Sequence, residues 1–181
     1  MIDIKDSTGY QFIQDFYGNR TAKRSGVPLM NHINEGLLIM QLAGKKLGYQ
    51  VSARELEAFA IHPLFQEDSA LASSWSLAVF FDPDVVLLAM EYRSVANEFL
   101  SDKIVLGETT PPIRLSPLQG VNMMLIGDKV QNRKDFELYH KGSHARSVEL
   151  DIYFRYWLRA LDIFEPLYNE LLVDLERVNL R

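Results

Sequence analysis

The protein has 181 residues and no cysteine, which excludes disulfide bonds and thiolate metal sites. Its net charge of −5 argues against general nucleic-acid binding, and no run of about 18 apolar residues is present that could span a membrane. The apolar fraction of 48% and the charged fraction of 24% are typical of a globular protein. We therefore expect a single domain over residues 1–181, located in the cytoplasm because its acidic N-terminus does not resemble a signal peptide.

The first half of the chain predicts four helical stretches. Aromatic and apolar residues over 7–17 indicate a helix capped by Asp6 or Ser7. A basic loop over 18–28 leads to a second helix over 29–47, which ends at a glycine. A capping box at Ser52 begins the third helix, and we expect that helix to kink or end at Pro63. Residues 69–81 are apolar and predicted to be helical.

The second half predicts four more helices and one long irregular segment. Asp82 followed by proline begins a helix. Residues 101–115 carry glycine and a proline pair, and their length suggests a flap over a site. A helix restarts at Ser116-Pro117, and the last two helices cover 144–162 and 166–178. The prediction is an all-α helical bundle of seven to nine helices.

Three side chains in separate helical runs are candidate metal ligands: His32, His62 and Asp128. Imidazole nitrogen and carboxylate oxygen together suit a divalent ion such as Mn, Fe or Zn. Either histidine alone is more often a hydrogen-bonded core residue. Asp128 lies in an apolar run, where a buried carboxylate without a partner is costly. A metal ion, or a basic neighbour such as Lys129 or Arg133, could be that partner.

The order of these elements resembles the HD superfamily of metal-dependent phosphohydrolases, and within it the RelA/SpoT-type alarmone hydrolases. The similarity covers about residues 10–165 and rests on three stretches. They are Lys23-Arg24-Ser25-Gly26-Val27-Pro28-Leu29-Met30-Asn31-His32, His62-Pro63-Leu64-Phe65-Gln66-Glu67-Asp68, and Asp128-Lys129-Val130-Gln131-Asn132. The resemblance implies an HD-type fold and a divalent metal, most commonly Mn, held by His32, His62 and Asp128.

The second stretch departs from the family pattern at the metal and at the catalytic pair. An aspartate that ligates the metal in the family is Pro63 here, so we expect weakened metal binding. The catalytic glutamate and aspartate of the family align without gaps with Gln66 and Glu67. A slip of one residue at the proline would instead bring Glu67 and Asp68 to those positions. Gln66 cannot act as a general base.

The resemblance also implies a purine nucleotide as ligand, with its phosphates near basic residues. The candidate substrate-binding residues are Arg20, Lys23, Arg24, Lys129, Asn132 and Tyr153. We expect Lys129 to reach the cavity only at its rim, because adjacent helical side chains diverge by about 100°. His140 and His144 flank a helix break and are interpreted as surface residues. The sequence leaves open whether copies of the chain associate.

Two functions of different classes follow. The first is an enzyme, a phosphohydrolase that acts on a purine nucleotide, with the resemblance implying removal of the 3′-pyrophosphate of (p)ppGpp. Glu67 or Asp68 would orient or deprotonate a metal-activated water. The alternative is a degenerate relative that binds a nucleotide or a protein partner without turnover. The loss of an acid at Pro63 and of another at Gln66 favours this alternative.

Overall fold

The computed structural model describes residues 1–23 and 25–180, and within these ranges the protein is all-α with no strand. Its eight α-helices are α1 (Thr8–Tyr17), α2 (Leu29–Leu47), α3 (Ala53–Gln66), α4 (Asp68–Ser74), α5 (Pro83–Glu98), α6 (Gln119–Tyr139), α7 (Ser147–Ala160) and α8 (Glu165–Asn179). Two 3₁₀ helices cover Trp75–Phe80 and Ser101–Lys103. The predicted fold class and helix number are confirmed.

Capping explains where several helices begin. The Ser7 hydroxyl accepts a hydrogen bond from the Tyr10 amide at the start of α1. The backbone amide of Glu55 donates to the Ser52 hydroxyl, and the Glu55 carboxylate accepts from the Ser52 amide, which completes the predicted capping box of α3. Asp82 caps α5, whose first residue is a proline. Such caps satisfy amides that have no partner within the helix.

Three boundaries differ from the sequence prediction. Helix α3 does not end at His62 but continues through Pro63 to Gln66, since packing of its buried face outweighs the missing backbone hydrogen bond. The stretch predicted as one helix over 69–81 is split into α4 and a 3₁₀ helix. The helix predicted from Ser116 begins at Gln119 because the Ser116 hydroxyl accepts from the Leu118 amide in a preceding turn.

Helices α2 and α6 pack against each other through glycines. A Cβ atom added at Gly127 would lie 2.9 Å from the Gly36 carbonyl oxygen and 2.7 Å from the Met40 Cγ. A Cβ atom at Gly36 would lie 2.2 Å from the Phe59 ring of α3. All three distances are too short for real contacts of a Cβ atom. These two glycines therefore let α2, α3 and α6 approach closely at the level of His32 and Asp128.

The helices share one apolar core, to which α1–α3 and α5–α8 contribute buried residues. The irregular segment that follows the second 3₁₀ helix is held on the outside of the bundle. Its Arg114 pairs with Glu98 at 2.6 Å, and the Tyr156 hydroxyl donates to the Pro111 carbonyl. None of the described helices has the length and apolar character needed to cross a membrane.

Candidate metal centre

His32, His62 and Asp128 meet in the interior of the bundle. Each offers a ligand atom, and these atoms lie within 4.8 Å of one another. His32 Nε2 is 3.5 Å from Asp128 Oδ1. The three residues come from α2, α3 and α6, the helices that the two glycines bring together. His62 and Asp128 are buried, and His32 is half-buried and faces a cavity.

Gln131 fixes the ring of His32. Its side-chain oxygen lies 2.6 Å from His32 Nδ1, while its amide nitrogen donates to Glu35 at 3.3 Å and to Asp135 at 2.8 Å. Because the carboxylates of Glu35 and Asp135 can only accept while they are ionised, the amide orientation is determined, and Nδ1 of His32 must carry the proton. The lone pair of His32 Nε2 is thereby left free to bind a metal ion.

His62 is oriented by the main chain of its own helix. Its Nδ1 donates to the Phe59 carbonyl oxygen at 2.6 Å, because a carbonyl oxygen can only accept. In a regular helix this carbonyl oxygen would accept a hydrogen bond from the backbone N–H of residue 63, but Pro63 has no N–H. The proline therefore leaves the Phe59 carbonyl to His62. Burial, followed by the nearby His32, lowers the pKa of His62 to about 4, so its ring is neutral at neutral pH.

Asp128 is an ionised carboxylate despite its burial. Burial opposes its charge, but the adjacent Lys129 ammonium is the main group that outweighs burial and lowers the pKa of Asp128 to about 2. Lys129 Nζ lies 2.8 Å from Asp128 Oδ2, and the Asn132 amide donates to Asp128 Oδ1 at 2.7 Å. Burial disfavours the ammonium of Lys129, but Asp128 overcomes this and raises the pKa of Lys129.

The expectation that Lys129 reaches the cavity only at its rim is wrong. Lys129 is buried, and its ammonium lies 5.0 Å from the Trp157 ring centroid and 3.3 Å from the Tyr153 hydroxyl. Aromatic rings of α7 stabilise the ammonium by cation–π contact, and the Asp128 carboxylate neutralises its charge. Its role in this structure is that of a counter-ion within the wall of the cavity.

The donor set fits a divalent metal ion. Two imidazoles whose Nδ1 atoms are bonded elsewhere and one ionised carboxylate are the ligand types that Mn, Fe and Zn accept. The neighbouring Tyr92 is fully buried, with its ring centroid 4.8 Å from that of His62, and burial followed by the Asp128 carboxylate raises the pKa of its hydroxyl. Tyr92 therefore adds a hydroxyl group beside the carboxylate of the candidate centre.

The three residues open onto a cavity of about 580 Å³. Its described wall includes Tyr17 of α1, Leu29 of α2, Tyr153 of α7 and much of one face of α6. Burial, the Asp128 charge and the Glu67 charge outweigh the opposing Arg20 cation and raise the pKa of Tyr17 to about 12. The volume is sufficient for a small-molecule ligand.

The structure separates the candidate catalytic residues. Gln66 lines the cavity beside Pro63, whereas Glu67 and Asp68 are exposed and do not belong to its described wall. Asp68 forms an ion pair with Arg93 of α5.

The candidate substrate-binding residues are also divided. Lys129, Asn132 and Tyr153 line the cavity. Arg20 instead donates to the carbonyls of Phe16 and Tyr17, and neither Arg20 nor Lys23 belongs to the described wall. Arg24 lies outside the described residues.

His140 and His144 were interpreted as surface residues, and that interpretation is wrong. Both are half-buried and line the same cavity as the metal triad. Their spacing of four residues on either side of the Gly142 break could have suggested that they share one face. The sequence alone did not show that both residues line the cavity, because the rest of its wall comes from distant parts of the chain.

Comparisons with known proteins leave the family open. No family model matches the sequence, and no curated protein or solved structure is significantly similar to it. The geometry of the metal centre is therefore the main basis for a functional proposal.

Proposed function

We propose that the protein is an HD-type metal-dependent phosphohydrolase that acts on a purine nucleotide, with the 3′-pyrophosphate of (p)ppGpp as the candidate scissile group. The observation that carries the proposal is the convergence of His32, His62 and Asp128 within 4.8 Å, with the Nδ1 atom of each histidine already bonded elsewhere. Side chains of a merely structural core have no need for two free Nε2 atoms directed at one carboxylate.

The chain supplies the surroundings for such chemistry. A divalent ion bound here would supply Lewis acidity toward a phosphoryl oxygen and toward water. Asn132 holds the Asp128 carboxylate through Oδ1, while Lys129 balances its charge through Oδ2. Tyr17 and Tyr153 line the cavity and offer hydroxyl groups for binding a substrate.

A second candidate is nucleotide or partner binding without turnover. It is favoured by the cavity wall itself, which presents Pro63 and Gln66 where the resembled family has acids. The one carboxylate of the described wall outside the triad is Asp135, and its Oδ2 already accepts from Gln131. A general base would then have to come from a rearranged Glu67, or deprotonation would depend on the metal alone.

One experiment separates the two candidates. The purified protein is stripped of metal, reloaded with Mn and incubated with a panel of purine nucleotides that includes ppGpp, while binding is followed by calorimetry and products by chromatography. Pyrophosphate release that depends on Mn and is lost in Asp128→Asn supports the hydrolase. Nucleotide binding without product supports the binder. Failure of the wild type to bind Mn refutes the metal centre.

A further inference from the structure

The surface formed by α4, the 3₁₀ helix that follows it and α5 exposes large apolar side chains. Trp75 is 57% exposed, Val79 80% and Phe80 61%, and all three belong to the six-residue 3₁₀ helix. Leu87 of α5 is 56% exposed. Single exposed apolar residues are common on protein surfaces, but a concentration of large ones in one region marks a candidate interaction site.

These side chains belong to one continuous surface. A groove is lined by Leu71 of α4, by Trp75 and by Met90 of α5. Leu87 precedes Met90 by three residues on α5, so the two side chains are neighbours on that helix. Val79 follows Trp75 by about 8 Å at the rise of a 3₁₀ helix. We call this surface the Trp75 face, and its members are Leu71, Trp75, Val79, Phe80, Leu87 and Met90.

Contacts with the rest of the protein hold both ends of the Trp75 face. The Phe80 ring stacks on Phe12 of α1 with centroids 5.9 Å apart, and Phe81 packs edge-on against the same ring at 5.3 Å. At the other end, Asp68 at the start of α4 forms an ion pair with Arg93 of α5. A surface that is already ordered loses less conformational freedom when it binds a partner.

The apolar area of the Trp75 face matches what a stable dimer needs. At about 150–250 Å² for an aromatic side chain, Trp75 and Phe80 alone leave roughly 180–300 Å² in contact with solvent. Val79 and Leu87 extend this area into the range of about 300–600 Å² that is typical of the largest apolar patch on a monomer. An interface of standard size buries about 800 Å² per partner, of which about 57% is apolar. The Trp75 face therefore supplies about the apolar area of one half of such an interface.

The charges that border the Trp75 face favour another copy of this chain as the partner. Asp68 lines the groove and pairs with Arg93. Beyond Phe80, Arg54 pairs with Asp82 at 3.0 Å and with Asp84 at 3.1 Å. Charges of both signs therefore lie on the border, as a two-fold interface requires for each border to complement a copy of itself. The excess of acids disfavours an anionic lipid surface.

From these observations we propose that the Trp75 face is a homodimer interface, on which a second copy of the chain docks in a two-fold arrangement. Two-fold dimers are the commonest closed homo-oligomers. Trp75 lies in the groove and is the expected anchor, since tryptophan is enriched among the residues that dominate binding energy. The interface does not depend on the ligand of the metal centre, so the inference and the proposed function are tested separately.

Sedimentation velocity over a dilution series tests the proposal. We expect the wild type to change from monomer to dimer with a Kd that is micromolar or tighter, as is found for interfaces of standard size. Val79→Asp should weaken the association at least about tenfold, because two like charges would be brought into one apolar interface. Val148→Asp is the matched control. Val148 is also exposed, but it lies on α7, which packs mainly against α6, so this variant should associate like the wild type.

The fluorescence of Trp75 shows whether the dimer uses this face. The chain has two tryptophans, and the other, Trp157, is fully buried. If Trp75 becomes buried on association, the emission should shift to shorter wavelength as the protein concentration rises. The shift should be absent in Val79→Asp. Trp75→Phe keeps an aromatic side chain in the groove, so it should still associate but should show no shift.

A wild type that stays monomeric at every concentration overturns the proposal. A dimer that persists in Val79→Asp, or whose formation leaves the Trp75 emission unchanged, overturns it as well. Thermal denaturation shows whether Val79→Asp is folded, and Leu87→Asp takes its place if it is not. Phosphatidylcholine vesicles provide the last comparison. A monomer whose Trp75 emission shifts only when these vesicles are added assigns the face to a lipid surface and overturns the homodimer.

Discussion

Replacement of Asp128 by asparagine should destabilise the protein even in the absence of metal. The substitution preserves shape but removes the negative charge that neutralises the buried Lys129 ammonium at 2.8 Å. Removing one partner of a buried ion pair typically costs about 3–5 kcal/mol of unfolding free energy. For a chain of this size, that loss corresponds to a decrease in Tm of roughly 6–20 °C.

The double variant Asp128→Asn/Lys129→Met distinguishes a charge effect from a packing effect. Methionine fills the space of the lysine stem beside Trp157, and no unpaired charge then remains. We expect the double variant to recover most of the stability lost by Asp128→Asn alone, because replacing both members of a buried pair is often neutral. Urea denaturation at pH 7 in the presence of a chelator measures the stability of the wild type, of Asp128→Asn, of Lys129→Met and of the double variant.

Metal binding should follow a different pattern across the same variants. Asp128→Asn and the double variant should both lose Mn binding, since the carboxylate ligand is absent in each. Lys129→Met alone should bind Mn more tightly than the wild type, because a competing cation has been removed. Lys46→Met serves as the control, since its ammonium pairs with Glu170 and Asp174 at the surface, and it should change neither property appreciably.

The reasoning is refuted if Asp128→Asn costs less than about 1 kcal/mol, which is the range of exposed ion pairs. It is also refuted if the effects of the two single substitutions add in the double variant, since additivity means that the charges do not interact.

Three further predictions concern the same centre. In calorimetry, Pro63→Asp should bind Mn more tightly than Pro63→Ala, because both substitutions restore a backbone N–H but only aspartate adds a ligand. Equal affinity of the two variants would mean that residue 63 does not face the ion. Gly127→Ala should lower Tm and weaken Mn binding, because the added Cβ atom would lie 2.9 Å from the Gly36 carbonyl oxygen of α2. Gly48→Ala is the control: its Cβ atom would meet open space, but its φ of 71° disfavours alanine, so Tm should fall while Mn binding stays intact. The free energy of unfolding of the apoprotein should fall as the pH decreases from 6.5 to 4. In this range His62 is protonated in the unfolded chain but stays neutral in the folded protein, where its pKa is lowered to about 4. In urea denaturation at a series of pH values, His62→Asn should show a smaller decrease over this range.

Local sequence signals predicted much of the fold. Ser7, Ser52 and Asp82 marked helix starts correctly, since a side chain that accepts from a nearby amide acts within one turn. Of the kink or end predicted at Pro63, the end is not observed, because the apolar residues on either side of the proline are buried against other helices and α3 continues to Gln66. Tertiary packing of this kind is not encoded within a short window of sequence.

The candidate site was predictable in its ligand types but not in its surroundings. Histidine and aspartate in separate apolar runs indicated a shared centre. The position of Lys129 depends on Tyr153 and Trp157, which lie more than 20 residues away and become neighbours only when α7 packs on α6. For the same reason the inward direction of His140 and His144 could not be read from their own segment.

The role of Pro63 changes when its neighbours are considered. From the sequence it is a missing ligand, and its only consequence is a weaker metal site. In the structure it also leaves the Phe59 carbonyl without its usual amide donor, and the His62 Nδ1–H occupies that carbonyl at 2.6 Å. An aspartate at position 63 would restore a competing N–H there. Pro63 thus offers no side-chain donor of its own while it helps to fix the ring of His62. The His62 ring is neutral at neutral pH and is held with its Nε2 free beside a buried carboxylate, which is the arrangement that a metal ligand requires.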